Sequence, residues 1–432
     1  MEISKPLEAT WWLILERIAY IVLSLAVTLL VARHLQPEMF GKLSYLLAVA
    51  SLASPLSALG LNSLVTRELL KRPQDSQLIM GSAIALRFIA SSFIAPLAII
   101  LGYLYLESAE SGLFAFLMIA NIFTSGLVID FWLQAHMANR YASIVRLAGL
   151  ILISIARILA VTSDLGLPAF VYLAGMEVVC IGFLYGLVYD RLGEGVSKLR
   201  VSWSESRRLI KDSRWLLLSG VAAMIYLKID QLMLGVLVND RAVGIYAAAA
   251  RISEVWYFVP AAIVTSFFPQ LMRHRLNDVE AYNLNLQKLN DILFCTALLV
   301  ALSVTYWADW LLPLLFGAAY ESAVPVLIIH VWVGLFVFMR ALLSKWFIAE
   351  NLLKLSMLSQ VLGAVVNVAL NIWLIPLYGP VGAAYATVVS YAGAGYIVLF
   401  LHRDLWPMGL VVSRSILLPY RLLRKGRNLY QP

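Results

Sequence analysis

Long apolar stretches recur along this chain, separated by short polar breaks. They fall near residues 11–33, 41–65, 77–105, 112–135, 141–161, 167–190, 214–238, 242–272, 289–314, 323–348, 354–376 and 381–402. A helix needs about 20 apolar residues to cross the hydrocarbon core of a bilayer. The pattern therefore predicts an all-α polytopic membrane protein with about twelve crossings. The first run carries Glu16 and Arg17 near its start and is too long for a cleaved leader, so it is expected to remain as a crossing.

Twelve crossings put both chain ends on one side, and charge says which side. Twenty-two lysines and arginines fall in one set of loops and tails, and three, Arg33, Lys42 and Arg241, in the other. Cytoplasmic loops concentrate Lys and Arg, so both termini are expected inside. The stretch 191–214 holds seven cations and divides the runs six and six. Trp12 precedes Gly41 by 29 residues, as Trp215 precedes Gly244, and Trp132 and Trp346 take similar places in the fourth run of each half. The expected organisation is a six-helix lobe (1–190), a basic linker (191–213), a second six-helix lobe (214–402) and a basic tail (403–432). Two six-helix repeats share one orientation and are related by an axis along the membrane normal. The tail is expected as an interfacial helix on anionic lipid or as a disordered basic segment.

Composition adds exclusions. The chain of 432 residues is 62% hydrophobic and 13% charged, which leaves no room for a soluble domain. Its net charge of +8 follows topology rather than a nucleic-acid patch. Cys180 and Cys295 lie inside apolar runs and are expected as small core residues. The five histidines have no ligand spacing, and there is no phosphate loop, dinucleotide fingerprint or zinc motif. No cofactor and no metal are expected.

Charge within an apolar run is costly and marks a functional path by default. Eight cations remain inside the expected crossings: Arg17, Arg87, Arg146, Arg157, Lys228, Arg251, Arg340 and Lys345. Arg146 and Lys345 are expected to snorkel. Arg17, Arg87, Lys228, Arg251 and Arg340 are the substrate-binding candidates. The acids at depth are Glu16, Asp130, Glu177, Asp230 and Glu254, so the interior is net cationic. Arg251 and Glu254, three apart on one helix face, either pair or face an aqueous cavity. Lys228 and Asp230, two apart, point to different sides. Gln360, Ala364, Asn367 and Asn371 form a polar stripe that lines a path or bonds helices together. Pro55, Pro96 and Pro260 sit inside crossings, where they permit bends. Arginine suits diphosphate and carboxylate groups, so an anionic headgroup is the natural cargo of such an interior.

Several segments resemble one family. Val31-Ala32-Arg33-His34-Leu35-Gln36-Pro37-Glu38-Met39-Phe40-Gly41 is similar to the first-loop signature of polysaccharide biosynthesis flippases. These are the Wzx-type O-antigen and exopolysaccharide transporters of the multidrug/oligosaccharidyl-lipid/polysaccharide exporter superfamily. Asp230-Gln231, Gly244-Ile245-Tyr246, Ala250-Arg251 and Phe267-Phe268-Pro269 resemble its mid-chain pattern. Leu315-Phe316-Gly317, with Tyr320 and Ala323, is similar to another. Asn367, Asn371, Leu374 to Gly379, Gly382-Ala383-Ala384 and Ala386-Thr387 resemble its eleventh-to-twelfth junction.

The resemblance implies two six-helix lobes in a V around a central cationic cavity, with alternating access. It implies that undecaprenyl-diphosphate-linked oligosaccharide is flipped from the cytoplasmic to the periplasmic leaflet of a bacterial inner membrane, for O-antigen or another surface polysaccharide. Membrane lipids are partners, and contact with a polysaccharide polymerase and a chain-length regulator is implied too; nucleic acid is not. Coupling to protons or sodium needs an exchangeable acid, for which Asp130, Glu177, Asp230 and Glu254 are the candidates. The competing readings are an ion-coupled multidrug or cation antiporter on the same fold, a membrane glycosyltransferase or polymerase, and a scaffold. The antiporter favours an acidic, aromatic cavity. The enzyme favours a large outer loop, and every expected outer loop here is short, so no enzyme activity is expected.

Overall fold

The structure, a computed structural model, describes residues 4–192, 195–418 and 420–421. The side chains of Trp12 and Glu16, and the tail residues Arg424, Lys425 and Arg427, lie outside the described residues. The described residues form helices and turns, with no strand. Among the described residues, nine helical runs are long and apolar enough to cross a membrane, or ten if the pair Ala318–His330 and Val333–Ala349, bent by 45°, is one crossing. The chain is a multi-pass, all-α membrane protein and folds as two compact units, Met1–Lys228 and Ile229–Pro432.

The first unit contains α1 (Ser4–Ala58), α2 (Asn62–Lys71), α3 (Ser76–Tyr105), α4 (Ser108–Asn121), α5 (Val128–Ala135), α6 (Asn139–Thr162), α7 (Leu167–Arg191) and most of α8 (Trp203–Leu237). Helix α1 is interrupted at Gln36, whose φ of 59° is not helical. Pro37 follows and supplies no backbone donor, so the break falls inside the Gln36-Pro37 signature. Pro55 and Pro96 sit within α1 and α3, which keep helical backbone angles there. A 3-10 stretch, Ile122–Leu127, separates α4 from α5.

Helix α3 shows how the unit is sorted. Its buried face mixes small or polar residues, Gly81, Ser82, Ala83, Arg87, Ser91 and Ala95, with the larger Ile79, Met80 and Leu86. Its outer face carries Phe88, Phe93, Leu97, Ile100 and Leu104, all exposed. Small residues let helices approach within a bilayer, while large apolar groups face lipid. The buried face packs on α1, α4 and the 3-10 stretch.

The linker is docked on this unit. Arg200 N–H donates to the Gln77 carbonyl, and Ser202 N–H to Ser82 Oγ. A Cβ at Gly81 would run into the Arg200 backbone, and one at Gly60 into the backbone of Ser213 and Leu217. Arg72 and Arg208 bridge Glu68 and Glu205 at 2.6–3.4 Å, with both carboxylates buried.

The second unit holds the end of α8, then α9 (Asp240–Glu254), α10 (Phe258–Asn277), α11 (Val279–Phe316), α12 (Val324–His330), α13 (Val333–Ala349), α14 (Leu353–Gly395) and α15 (Trp406–Ile416). Asn239 and Asp278 cap α9 and α11, each side chain accepting from the backbone N–H three residues on. Helix α14 breaks at Gly379, with φ 55° and ψ −133°, just before Pro380. Gly382 then meets the Leu374 carbonyl, where a side chain would not fit. The two halves of α14 thus fold back on one another. Pro260 lies in the first turn of α10, just after a 3-10 turn at Val255–Tyr257, where it costs no helical bond.

Each unit has an apolar core with one of the two matched tryptophans in it. Trp132 packs with Ile79, Val128, Tyr185 and Tyr189. Trp346 packs with Leu286, Phe338, Leu399 and Met408. The cysteines differ from expectation. Both are free; Cys180 is half-buried and Cys295 exposed. Of the basic tail, α15 buries Met408, Val412 and Ser415 against the unit's core and exposes Trp406 and Leu410.

Candidate functional site

The second unit contains a buried carboxylate with only neutral partners. Asp230, near the end of α8, is 4% exposed. The Asn371 amide donates to its Oδ1 at 2.6 Å. The Tyr246 hydroxyl donates to Oδ2 at 2.7 Å, and Thr387 Oγ1 donates there at 2.8 Å. Asn371 also donates to Asn367 Oδ1 at 3.1 Å, and Asn367 donates to Ser390 Oγ at 3.3 Å. The fold-back of α14 makes this possible, because it sets Asn367 and Asn371 on one half beside Thr387 and Ser390 on the other. The polar stripe read along 360–371 therefore bonds helices at Asn367 and Asn371, both fully buried.

Asn371 Oδ1 is buried with no partner. The Asp230 carboxylate and the Asn367 and Thr387 oxygens lie in the same hydrogen-bonded cluster. Oxygen ligands suit hard cations, and a buried carboxylate is costly without a compensating charge. The cluster has the chemistry of a site for a transported proton or small cation. Beside it, Ser253 Oγ and His330 Nδ1 lie 2.6 Å apart, and the His330 ring meets Tyr246 edge-on at 5.5 Å.

The other coupling candidates have different surroundings. Asp130 accepts from Arg146 at 3.0 Å and from Gln134 at 3.0 Å. Glu177 pairs with Arg157 at 2.8 Å. Glu254 is exposed on α9. Arg146 thus departs from the snorkelling expectation: Asp130 and the Tyr185 hydroxyl hold it within the bundle. Lys345 lies over the Phe268 ring, its Nζ 5.6 Å from the centroid, so an aromatic face holds it too.

The substrate-binding candidates also divide. Arg17 and Arg251 are exposed, and neither joins an ion pair among the described residues. Arg251 and Glu254 are not paired with each other. Lys228 is half-buried at the last position of the first unit. Arg340 donates to the Ala394 carbonyl at 2.9 Å and to Ser359 Oγ at 2.8 Å, tying α13 to both halves of α14. Arg87 is buried, at 5% exposure, and its Nε and Nη1 have no partner among the described residues.

Some clusters escape sequence reasoning. Asp291, 2% exposed on α11, accepts from Gln287 at 2.8 Å, from Ser415 of α15 at 2.6 Å and from Arg421 at 3.3 Å. An acid inside the apolar run 289–314 was the available signal. Its tail partners, over a hundred residues away, gave none.

The family model described as "Polysaccharide biosynthesis protein" matches residues 7–274, more than half of the chain. The chain belongs to this family. A curated relative, the probable low-salt glycan biosynthesis flippase Agl15 of Haloferax volcanii, is 26% identical over 245 residues, covering 54% of this chain and 49% of that protein. The chain spans about half the length of that curated relative. Among solved structures, the lipid II flippase MurJ in an inward closed conformation superposes with a TM-score of 0.69 at 15% identity, covering 98% of this chain and 94% of that one. An inward-facing multidrug resistance MATE family transporter of the MOP superfamily also gives 0.69, at 14% identity, covering 92% and 98%. The fold is that of these transporters.

Proposed function

We propose that this protein is a flippase for lipid-linked oligosaccharide in glycan biosynthesis. Its cargo is a polyprenyl-diphosphate-linked glycan, undecaprenyl-linked in a bacterial inner membrane. Counting the runs broken at Gln36 and Gly379 as two each and the bent pair Ala318–His330 and Val333–Ala349 as one gives twelve crossings, so both termini share a side, the cytoplasmic one by the charge asymmetry of the loops. The carrying observation is that Arg17, Arg87 and Arg251, within apolar helical runs, are not neutralised by any described acid. Cationic groups left over in apolar helices suit a cargo that brings its own negative charge. Family membership and the Agl15 similarity point the same way. The Asp230 cluster is the proposed coupling site, by which a proton or sodium ion drives the cycle.

The test is headgroup accessibility of undecaprenyl-diphosphate oligosaccharide in vesicles, with and without the purified protein. A protein-dependent rise in the fraction reachable from the opposite side, without ATP, is the expected result. A second reading, an ion-coupled antiporter for small cations, draws on the Asp230 cluster and the MATE-type fold. No rise with several glycans, together with ion-driven efflux of a cationic dye, would favour it.

A further inference from the structure

We propose that His330 is a positioning residue for the Asp230 cluster: held by Ser253, its ring fixes Tyr246 in the orientation that donates to Asp230. The proposal rests on the reading of that cluster as the coupling site. All four side chains belong to the second unit and are buried, Tyr246 and His330 at 3% exposure, Ser253 at 2% and Asp230 at 4%. A histidine inside an apolar run is costly to place unless its ring is hydrogen-bonded.

Ser253 supplies that bond. Its Oγ lies 2.6 Å from His330 Nδ1 and 3.1 Å from the Ala250 carbonyl. A hydroxyl has one proton to give. Both contacts are hydrogen bonds when His330 Nδ1–H donates to Ser253 Oγ and the hydroxyl donates to Ala250. The imidazole is then tied to α9 through one defined nitrogen, and its plane is set. That plane stands at 88° to the Tyr246 ring with the centroids 5.5 Å apart, the edge-to-face geometry that aromatic pairs favour.

Tyr246 and Ser253 are seven residues apart on α9, two turns, so they share the helix face that packs on α12. A histidine that only joined α9 to α12 would need Ser253 and nothing more. This one also meets the ring whose hydroxyl donates to Asp230 Oδ2 at 2.7 Å. That hydroxyl sits at the far end of the ring from the backbone. A small rotation of the ring carries it beyond the range of about 2.5–3.0 Å for O–H···O bonds, and His330 limits that rotation. His330 is also the last residue of α12, where the pair Ala318–His330 and Val333–Ala349 bends by 45°. The contact therefore links the bend to the cluster, so a change of charge at Asp230 that moves Tyr246 is felt there.

Tyr246 itself is the probe. 3-Fluorotyrosine is placed at position 246 of the full chain in nanodiscs, and its fluorine resonance is recorded. Asp230→Asn gives the resonance of a hydroxyl that has lost its carboxylate. His330→Phe keeps a ring without the bond to Ser253, Ser253→Ala removes that bond from the other side, and His330→Asn keeps a donor near the Nδ1 position without the ring. Each should move the resonance toward the Asp230→Asn value. In vesicles, each should also lower severalfold the ratio of flipping rates with and without an imposed proton or sodium gradient. Tyr246→Phe should lower it too, and adding His330→Phe or Ser253→Ala to Tyr246→Phe should lower it no further. A merely structural loss would scale both rates together and leave the ratio unchanged.

An unmoved resonance in both His330→Phe and Ser253→Ala overturns the proposal. So does a wild-type ratio in these variants while Asp230→Asn loses the gradient response, or a further fall on top of Tyr246→Phe. If His330→Phe does not fold, Ser253→Ala and His330→Asn decide in its place. The coupling reading fails separately, by an unchanged gradient response in Asp230→Asn. In that case, or in a protein that does not flip glycan at all, the resonance alone decides whether His330 positions Tyr246.

Discussion

Asp230 accepts hydrogen bonds from three side chains and meets no cation among the described residues, so its charge is the property to remove. Asp230→Asn keeps the size of the side chain and forces at least one amide N–H toward a donor. That mismatch should cost about 1–3 kcal/mol of stability, a loss an intact fold can absorb. In vesicles, glycan flipping by this variant should no longer respond to an imposed proton or sodium gradient, while protein levels stay near normal. An unchanged response would remove Asp230 from coupling. Arg251→Ala and Arg17→Ala should impair glycan export with protein levels near normal, because both side chains are exposed and hold no described partner. Full surface polysaccharide with both Arg251→Ala and Arg251→Lys would sink that role. Arg340→Ala should instead act on folding. It removes bonds to the Ala394 carbonyl and Ser359, with an expected loss of about 1.5–3 kcal/mol for hydrogen bonds from a charged donor, read as a lower melting temperature.

Among the elements, the basic linker behaves unlike a free connector. Its backbone bonds to α3, its start into α8 is locked by the Glu68, Arg72, Glu205 and Arg208 cluster, and Gly60 and Gly81 admit its backbone at close range. Gly81→Ala should push residues near Arg200 off the unit. Trypsin should then cut at Arg200 or Arg207 several times faster than in the wild-type protein. Equal cleavage rates would mean that the docking tolerates the added methyl. Glu68 and Arg72 pair four apart at the end of α2. That they meet Glu205 and Arg208 could not be read from the sequence, because it depends on how α8 returns to α2. The same limit applies to α14. The Gly379-Pro380 junction signalled a break, but not that Asn367 and Asn371 would turn onto Asp230.

For the whole molecule, the proposed topology carries a direct check. In a background with Cys180 and Cys295 replaced by alanine, a cysteine at Lys198 should react with an impermeant thiol reagent only from the cytoplasmic side. A cysteine at Asp240 should react only from outside. Labelling of both from the same side would break the twelve-crossing arrangement. Apolar run length and charge asymmetry carry this expectation because both act on each segment independently, through transfer into lipid and retention of cations inside.

That independence marks the division between sequence and structure. By itself the sequence determined the all-α membrane class, the breaks between runs at Gln36 and Gly379 and the family, since each rests on local apolar length or on ordered motifs. The tertiary structure decided which charges are spent. Asp130, Glu177 and Glu205 find arginines, and Arg340 finds a carbonyl and a hydroxyl. Asp230 is ringed by neutral donors, and Arg87 is buried without a partner among the described residues. Those outcomes depend on contacts between residues far apart in the chain, and a buried charge is stabilised or left costly only by what packs against it.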